Sequence, residues 1–150
     1  MILMISQTTK IPLEVANELR PVLLRLTREL RRETEEFGIT GRQATLLWLV
    51  KGSPGLTLRA LAEMEGISPP ALSGHIDRLE RSELLVRVRS TADRRRVGLE
   101  LTTEGERVLR SVRERRTAWL AERLGALDPA ALEAVATAIE PLQELLEANR

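Results

Sequence analysis

The chain has 150 residues, 43% of them hydrophobic and 30% charged, with a formal net charge of only +1; this is the composition of a single folded domain and excludes a disordered class. There is no cysteine and only one histidine, His75, which excludes disulfides, thiolate metal sites, cysteine nucleophiles and thiol redox sensing, and leaves no plausible ligand set for zinc. The opening Met1-Ile2-Leu3-Met4-Ile5 lacks a charged leader and is shorter than a signal core, and the run Ala44 to Val50 cannot span a bilayer, so the expectation is a soluble, cytoplasmic chain with no membrane partner.

The aromatics are Phe37, Trp48 and Trp119, so the core must be built from Leu, Val, Ala and Ile, which suits packed helices. From Ala16, Leu19, Leu23, Leu26, Leu30 and Phe37 recur at three- and four-residue steps, the narrow stripe of a helix packing on another helix. Pro21 inside that pattern predicts a kink or a restart. Gly38 ends the element, and Thr40-Gly41-Arg42-Gln43 reads as a capping box opening a second helix with Ala44, Leu47 and Trp48 on its apolar side. Gly52-Ser53-Pro54-Gly55 stops it.

Thr57 caps a short helix carrying Leu58, Leu61 and Ala62 to Glu65, Gly66 supplies a left-handed turn, and Ser68-Pro69 opens the next helix as N-cap and first helical residue. Two short helices joined through a glycine turn form a helix-turn-helix pattern. In the second, Leu72, Ile76 and Leu79 face inward, which leaves Pro70, Gly74, Asp77, Arg78 and Arg81 on the opposite face with Ala71 beside them.

After Leu84 the period becomes two. Val86 and Val88 alternate with Arg87 and Arg89, then Val97, Leu99 and Leu101 with Gly98 and Glu100, and the connection from Ser90 to Arg96 is polar and too long for a tight turn, so the segment is a protruding hairpin, a wing. Thr103-x-x-Glu106 reads as a second capping box launching a helix through Val108, Leu109, Val112, Trp119 and Leu120 to near Gly125. Asp128-Pro129 opens a last helix whose stripe Leu132, Val135, Ile139, Leu142 and Leu146 repeats the rhythm of the first, with Pro141 as another expected kink. Both ends present helical seams.

Function concentrates in the wing. Between Val86 and Gly98 stand Arg87, Arg89, Arg94, Arg95 and Arg96 against the single Asp93, a local +4 in a chain whose total is +1. Guanidinium groups on a narrow hairpin can enter a minor groove while the preceding helix lies in the major groove. Lysine occurs only at Lys10 and Lys51, so arginine dominates the cations; this suits bidentate phosphate and base contacts and is equally consistent with a genomic base-composition bias. No nucleophile paired with a base, no phosphate-cradling glycine loop and no His/Cys cluster appears, so neither an enzyme nor a cofactor is expected and no catalytic or metal residue is assigned.

In order and spacing, Thr57-Leu58-Arg59-Ala60-Leu61-Ala62-Glu63, Ser68-Pro69-Pro70-Ala71-Leu72-Ser73, Asp77-Arg78-Leu79-Glu80, Ala92-Asp93-Arg94-Arg95 and Leu101-Thr102-Thr103-Glu104-Gly105 resemble the MarR family of bacterial transcription regulators. The resemblance covers essentially the whole chain. It implies a mostly helical winged helix-turn-helix with a small β-hairpin: a DNA-binding lobe over 40–101, flanked by dimerisation helices over 11–37 and 104–148 within one domain, 1–150. It further implies a homodimer joined through Leu19, Leu23, Leu132, Val135, Ile139, Leu142 and Leu146, on a pseudo-palindromic double-stranded DNA operator.

Carried over by residue, Ser68 to Arg81 is the recognition helix, with Ser68, Pro70, Ala71, Ser73, Gly74, His75, Arg78 and Arg81 toward DNA. Asp93 to Arg96 is the wing tip, Arg95 the minor-groove residue and Asp93 a structural partner that orients an arginine. Many family members bind small aromatic or phenolic effectors between the dimer helices and the lobe, where Trp48 is a candidate; the simpler reading of Trp48 is a core residue, and His75 is either a base or phosphate contact or merely a packed or solvated residue. Gly74 and Glu83 depart from the family pattern. Gly74 stands where a larger, often basic side chain is common, which shifts recognition toward phosphate anchoring and groove shape. Glu83 replaces a glycine before the wing, so a different turn is expected there. Three functions follow: an effector-released repressor, a constitutive or architectural DNA binder, and a helical protein-interaction module.

Overall fold

In a computed structural model, residues 11–148 are described; the opening Met1–Ile5 lies outside them. Six α-helices and one antiparallel hairpin follow in the order α1 (Pro12–Arg32), α2 (Gly41–Gly52), α3 (Leu58–Glu65), α4 (Pro69–Arg81), β1 (Leu85–Arg89), β2 (Val97–Leu101), α5 (Thr103–Gly125) and α6 (Pro129–Glu147). No helix among the described residues is long and apolar enough to cross a membrane.

The first helix starts at Pro12, earlier than the apolar rhythm suggests, and runs through Pro21 without a restart; α6 likewise continues through Pro141. It also ends earlier than expected. Thr34 is fully buried and its hydroxyl donates to the Arg31 carbonyl at 2.6 Å, a local bond that competes with helix continuation. Phe37 therefore sits in a single 3₁₀ turn, Glu35–Phe37, closed by Gly38 at φ 70°.

The caps around the helix-turn-helix match the sequence closely. Thr40 and Gln43 form a reciprocal capping box, Gln43 N donating to Thr40 Oγ1 at 3.1 Å and Thr40 N to Gln43 Oε1 at 2.9 Å. Thr57 Oγ1 accepts from Ala60 N at 3.1 Å, Gly66 turns at φ 62°, and Ser68 Oγ accepts from Ala71 N at 3.3 Å. Each satisfies an amide or carbonyl that a helix end leaves unpaired.

Between these ends, Leu46 and Leu47 of α2, Leu61 of α3, Leu72, Ile76 and Leu79 of α4, Leu85 of β1, Leu99 of β2 and Val112 of α5 are all less than 2% exposed. This is one continuous core. It holds the helix-turn-helix, the root of the hairpin and the first half of α5 together, each large aliphatic contributing about 1.5–3 kcal/mol by its burial.

Leu85 pairs with Leu101, Arg87 with Leu99 and Arg89 with Val97. The alternation expected in β1 is present, but its inward phase is Leu85 and Arg87, while Val86 and Val88 are exposed. On its other edge β2 meets the segment before α3: Leu99 N donates to the Leu56 carbonyl at 2.9 Å and Thr57 bridges Gly98.

Two features fix α5 to this lobe. The N-cap of α5 is Thr102 rather than Thr103, its hydroxyl accepting from Gly105 N at 2.9 Å and donating to the Glu83 carbonyl at 2.6 Å. Gly105 is buried so closely that a Cβ there would lie 1.9 Å from the Leu84 carbonyl oxygen, which any side chain would push apart. By contrast α1 and α6 bury no residue.

Glu83 adopts φ 58°. The turn before the wing is thus the left-handed turn a glycine would make, not the different turn expected from the substitution, and the carboxylate residue carries the Cβ strain of that region. Glu83→Gly should relieve about 1 kcal/mol of strain, partly offset by greater unfolded-chain freedom. The net expectation is a small gain in unfolding free energy in urea melts, with an unchanged fold by circular dichroism.

Candidate nucleic-acid interface

The outer face of α4 carries Pro70, Ala71, Asp77, Arg78 and Arg81 exposed, with Ser73, Gly74 and His75 half-buried beside them. Its large apolar side chains all point to the core, so the face offered to a groove is shallow. A Cβ at Gly74 would meet nothing within 4 Å; the glycine answers no packing demand of the fold. Arg81 Nε donates to the Asp77 carbonyl at 3.3 Å.

At the wing tip the chain is ordered by its own short polar side chains. Ser90 Oγ accepts from the amides of Ala92 and Asp93 at 3.3 Å each, and Asp93 Oδ1 accepts from Arg95 N at 3.0 Å. Asp93 therefore positions Arg95 through the main chain and leaves its guanidinium without an ion pair among the described residues. Among the described residues no ion pair holds Arg89, Arg94, Arg95 or Arg96, and all four are exposed. Their charge is presented outward.

Arg87 differs from the other four wing arginines in being held against α4. Its Nη2 donates to Asp77 Oδ1 at 2.9 Å and to Ser73 Oγ at 3.3 Å, and its Nη1 donates to Glu80 Oε1. One guanidinium thus grips a stripe of α4 at i, i+4 and i+7. The contacts are charge-assisted, and because both carboxylates are partly solvated their value lies chiefly in geometry rather than stability. Residues 73, 77 and 80 share a helix face, so the acceptor stripe was readable in the sequence; what the sequence did not reveal was that β1 aims Arg87 at it.

His75 is packed more than presented. Its Nδ1 is buried without a hydrogen-bond partner among the described residues, and burial, followed by the nearby Arg78 and Arg42 charges, lowers its pKa from the ordinary 6.5. The imidazole is neutral near pH 7.

The MarR family model matches residues 37–96, the span from the 3₁₀ turn through the wing tip. The HTH-type transcriptional repressor MdtR of Bacillus subtilis is 30% identical over 114 residues, 76% of this chain and 74% of that protein. The HTH-type transcriptional regulator FarR of Neisseria gonorrhoeae is 34% identical over 89 residues, 59% of this chain and 61% of FarR, so that match spans under two thirds of FarR's length. Transcriptional regulator Tm0710 of Thermotoga maritima superposes with a TM-score of 0.74 at 27% identity, over 93% of this chain and 97% of that one. The chain belongs to the MarR family. Fold, family and relatives agree on a DNA-binding transcription regulator.

In this MarR-family regulator Trp48 is not a core residue. It is 64% exposed and stands at a cleft of about 820 Å³ between α2 and α5, floored by Ala44, Leu109 and Val112 and rimmed by Lys51, Arg113 and Arg116. The Arg116 side chain also donates to the Leu30 carbonyl at 3.0 Å, and burial, with Arg31 adding, holds its pKa below the ordinary value. The cleft therefore lies where α1, α2 and α5 approach one another.

Two outcomes test this geometry. Arg87→Met leaves Asp77 and Glu80 as uncompensated anions beside the DNA face, and we expect roughly tenfold weaker binding to duplex DNA, largely recovered when Asp77→Asn and Glu80→Gln are added; fluorescence anisotropy measures both. For His75, a lowered folded pKa means the unfolded chain binds more protons below about pH 6.5, so the neutral imidazole's contribution to stability is complete above that pH and lost as pH falls toward the folded value. His75→Gln should flatten the acid limb of the stability profile in urea melts.

Proposed function

We propose that the chain is a cytoplasmic homodimeric repressor that sets α4 in the major groove and the wing in the adjacent minor groove of a pseudo-palindromic operator, and that a small aromatic effector releases it. The observation that carries this reading is the group of unpaired wing guanidiniums, Arg89, Arg94, Arg95 and Arg96, projecting beside a helix-turn-helix. They suit phosphates and a narrow minor groove, while Ser68, Ser73, Arg78 and Arg81 of α4 supply the polar contacts of the major groove.

Dimerisation is supported by two apolar faces with nothing to cover them in one chain. Leu23 on α1 and Leu132, Val135, Ile139 and Leu146 on α6 are exposed, with Leu19 and Leu142 half-buried on the same stripes. Such patches on a small domain favour a partner of matching shape, and a twofold pair would place two α4 helices about one DNA turn apart. The Trp48 cleft supports the effector: its floor lies on the rigid lobe, but its rim residue Arg116 reaches the Leu30 carbonyl of α1, so a ligand that displaces that contact biases the angle between lobe and α1 and with it the separation of the reading helices.

The shallow α4 face, with Pro70, Ala71 and Gly74, favours a second reading, a constitutive DNA binder that recognises shape and backbone without any ligand switch. A screen in which no aromatic ligand alters DNA affinity would select it.

Replacing Arg94, Arg95 and Arg96 together by alanine should weaken duplex binding strongly, with the log–log salt slope falling by about 0.9 for each arginine that meets a phosphate. Light scattering should show the dimer intact. Unchanged DNA affinity in that variant would instead leave a helical protein-interaction module.

A further inference from the structure

Beneath the wing tip lies a second cationic site. The loop 53–57, the first turn of α3 with Arg59, and Arg95 and Arg96 of the wing enclose an open cavity of about 600 Å³. No acidic side chain lines it. Arg59 has an exposed side chain, 88% accessible, and the ion pair it makes among the described residues is a loose contact of 3.7 Å with the also exposed Glu63; an exposed pair of this kind restrains it little.

The cavity is built on fixed backbone. Leu99 N bonds the Leu56 carbonyl at 2.9 Å, Thr57 bridges Gly98, Ser90 N bonds the Arg96 carbonyl at 3.1 Å and Arg96 N the Asp93 carbonyl at 3.0 Å. Wing and helix-turn-helix are thereby tied together at this point, and Arg59, Arg95 and Arg96 all line the one space. Gathering three like charges is unfavourable by Coulomb repulsion unless solvent or an anion offsets it. Guanidinium forks match the tetrahedral oxygens of phosphate in two-point contacts.

We infer that Arg59, with Arg95 and Arg96, clamps a phosphodiester of the DNA backbone at the junction between the groove entered by α4 and the groove entered by the wing. This rests on the DNA-binding reading and adds to it a residue outside the recognition helix and the wing. The clamp carries no base information. It fixes the register between the two groove contacts, which matters most for a reading helix with few base-directed side chains.

The test is the salt dependence of binding to mixed-sequence duplex DNA, followed by anisotropy between about 50 and 200 mM salt. Arg59→Gln should lower the log–log slope by about 0.9 per bound subunit and weaken binding near 0.1 M salt by about eightfold per subunit, roughly sixtyfold for a dimer, the electrostatic part vanishing toward 1 M. The loss should be equal on A·T-rich and G·C-rich duplexes, and Arg59→Lys should retain the slope. Melting temperatures are expected to stay unchanged, since the side chain is exposed. A wild-type slope in Arg59→Gln, or a loss confined to one duplex composition, would overturn the clamp while leaving DNA binding in place; a wild-type protein that binds duplex without salt dependence would overturn the proposed function and the clamp together.

Discussion

The interface depends on how the hairpin is rooted. Leu85 and Leu99 sit fully inside the same core as Leu72, Ile76 and Leu79 of α4, so the wing cannot tilt without opening apolar contacts worth several kcal/mol. Arg87, next inward along β1, is spent on Asp77, Glu80 and Ser73 of α4. That one arginine offsets half the charge of the two carboxylates on this side of α4 and ties the wing to it, and among the described residues no ion pair holds the remaining four arginines. A hairpin with all five cations free would carry more charge and less definition of where it points.

The same core continues into α5. Thr102 caps the helix while bonding the backbone before the wing, and Gly105 lets the helix lie directly on the Leu84 carbonyl. The lobe and the first half of α5 are therefore held as one body, whereas among the described residues none of α1 or α6 is fully buried. Arg115 bridges Glu33 at 2.9 Å and Glu36 at 3.2 Å between these parts. Any change of angle between the reading helices must be absorbed in this junction, where the Trp48 cleft also lies.

Much of this was legible in the chain because it depends on short-range chemistry. Thr40, Thr57, Gly66, Ser68 and Asp128 mark helix ends by residue type alone, and the four- and three-residue steps of Leu72, Ile76 and Leu79 fix the buried side of α4. What escaped the sequence depends on tertiary placement. Trp48 reads as core by its helical phase, yet α2 is covered on only part of that face. Arg87 reads as one member of a charge run until β1 is given its register. Thr102 and Thr103 are equivalent caps by residue type, and the Glu83 carbonyl decides between them. Glu83 itself breaks the local rule for a left-handed turn, and the hydrogen bonds that Thr102 donates to the Glu83 and Leu84 carbonyls, with Leu84 and Leu85 buried, hold it there.

The central claim is that a rooted wing and the recognition helix engage adjacent grooves of one duplex face. Hydroxyl-radical and methylation footprinting on a DNA selected by binding tests it most directly. The arrangement predicts paired protections, each a methylation-shielded major-groove segment flanked outward by a shielded minor-groove segment, with the two sets about one helical turn apart. Major-groove protection with freely cleaved flanking minor grooves, or one unbroken protected stretch on all faces, would contradict it.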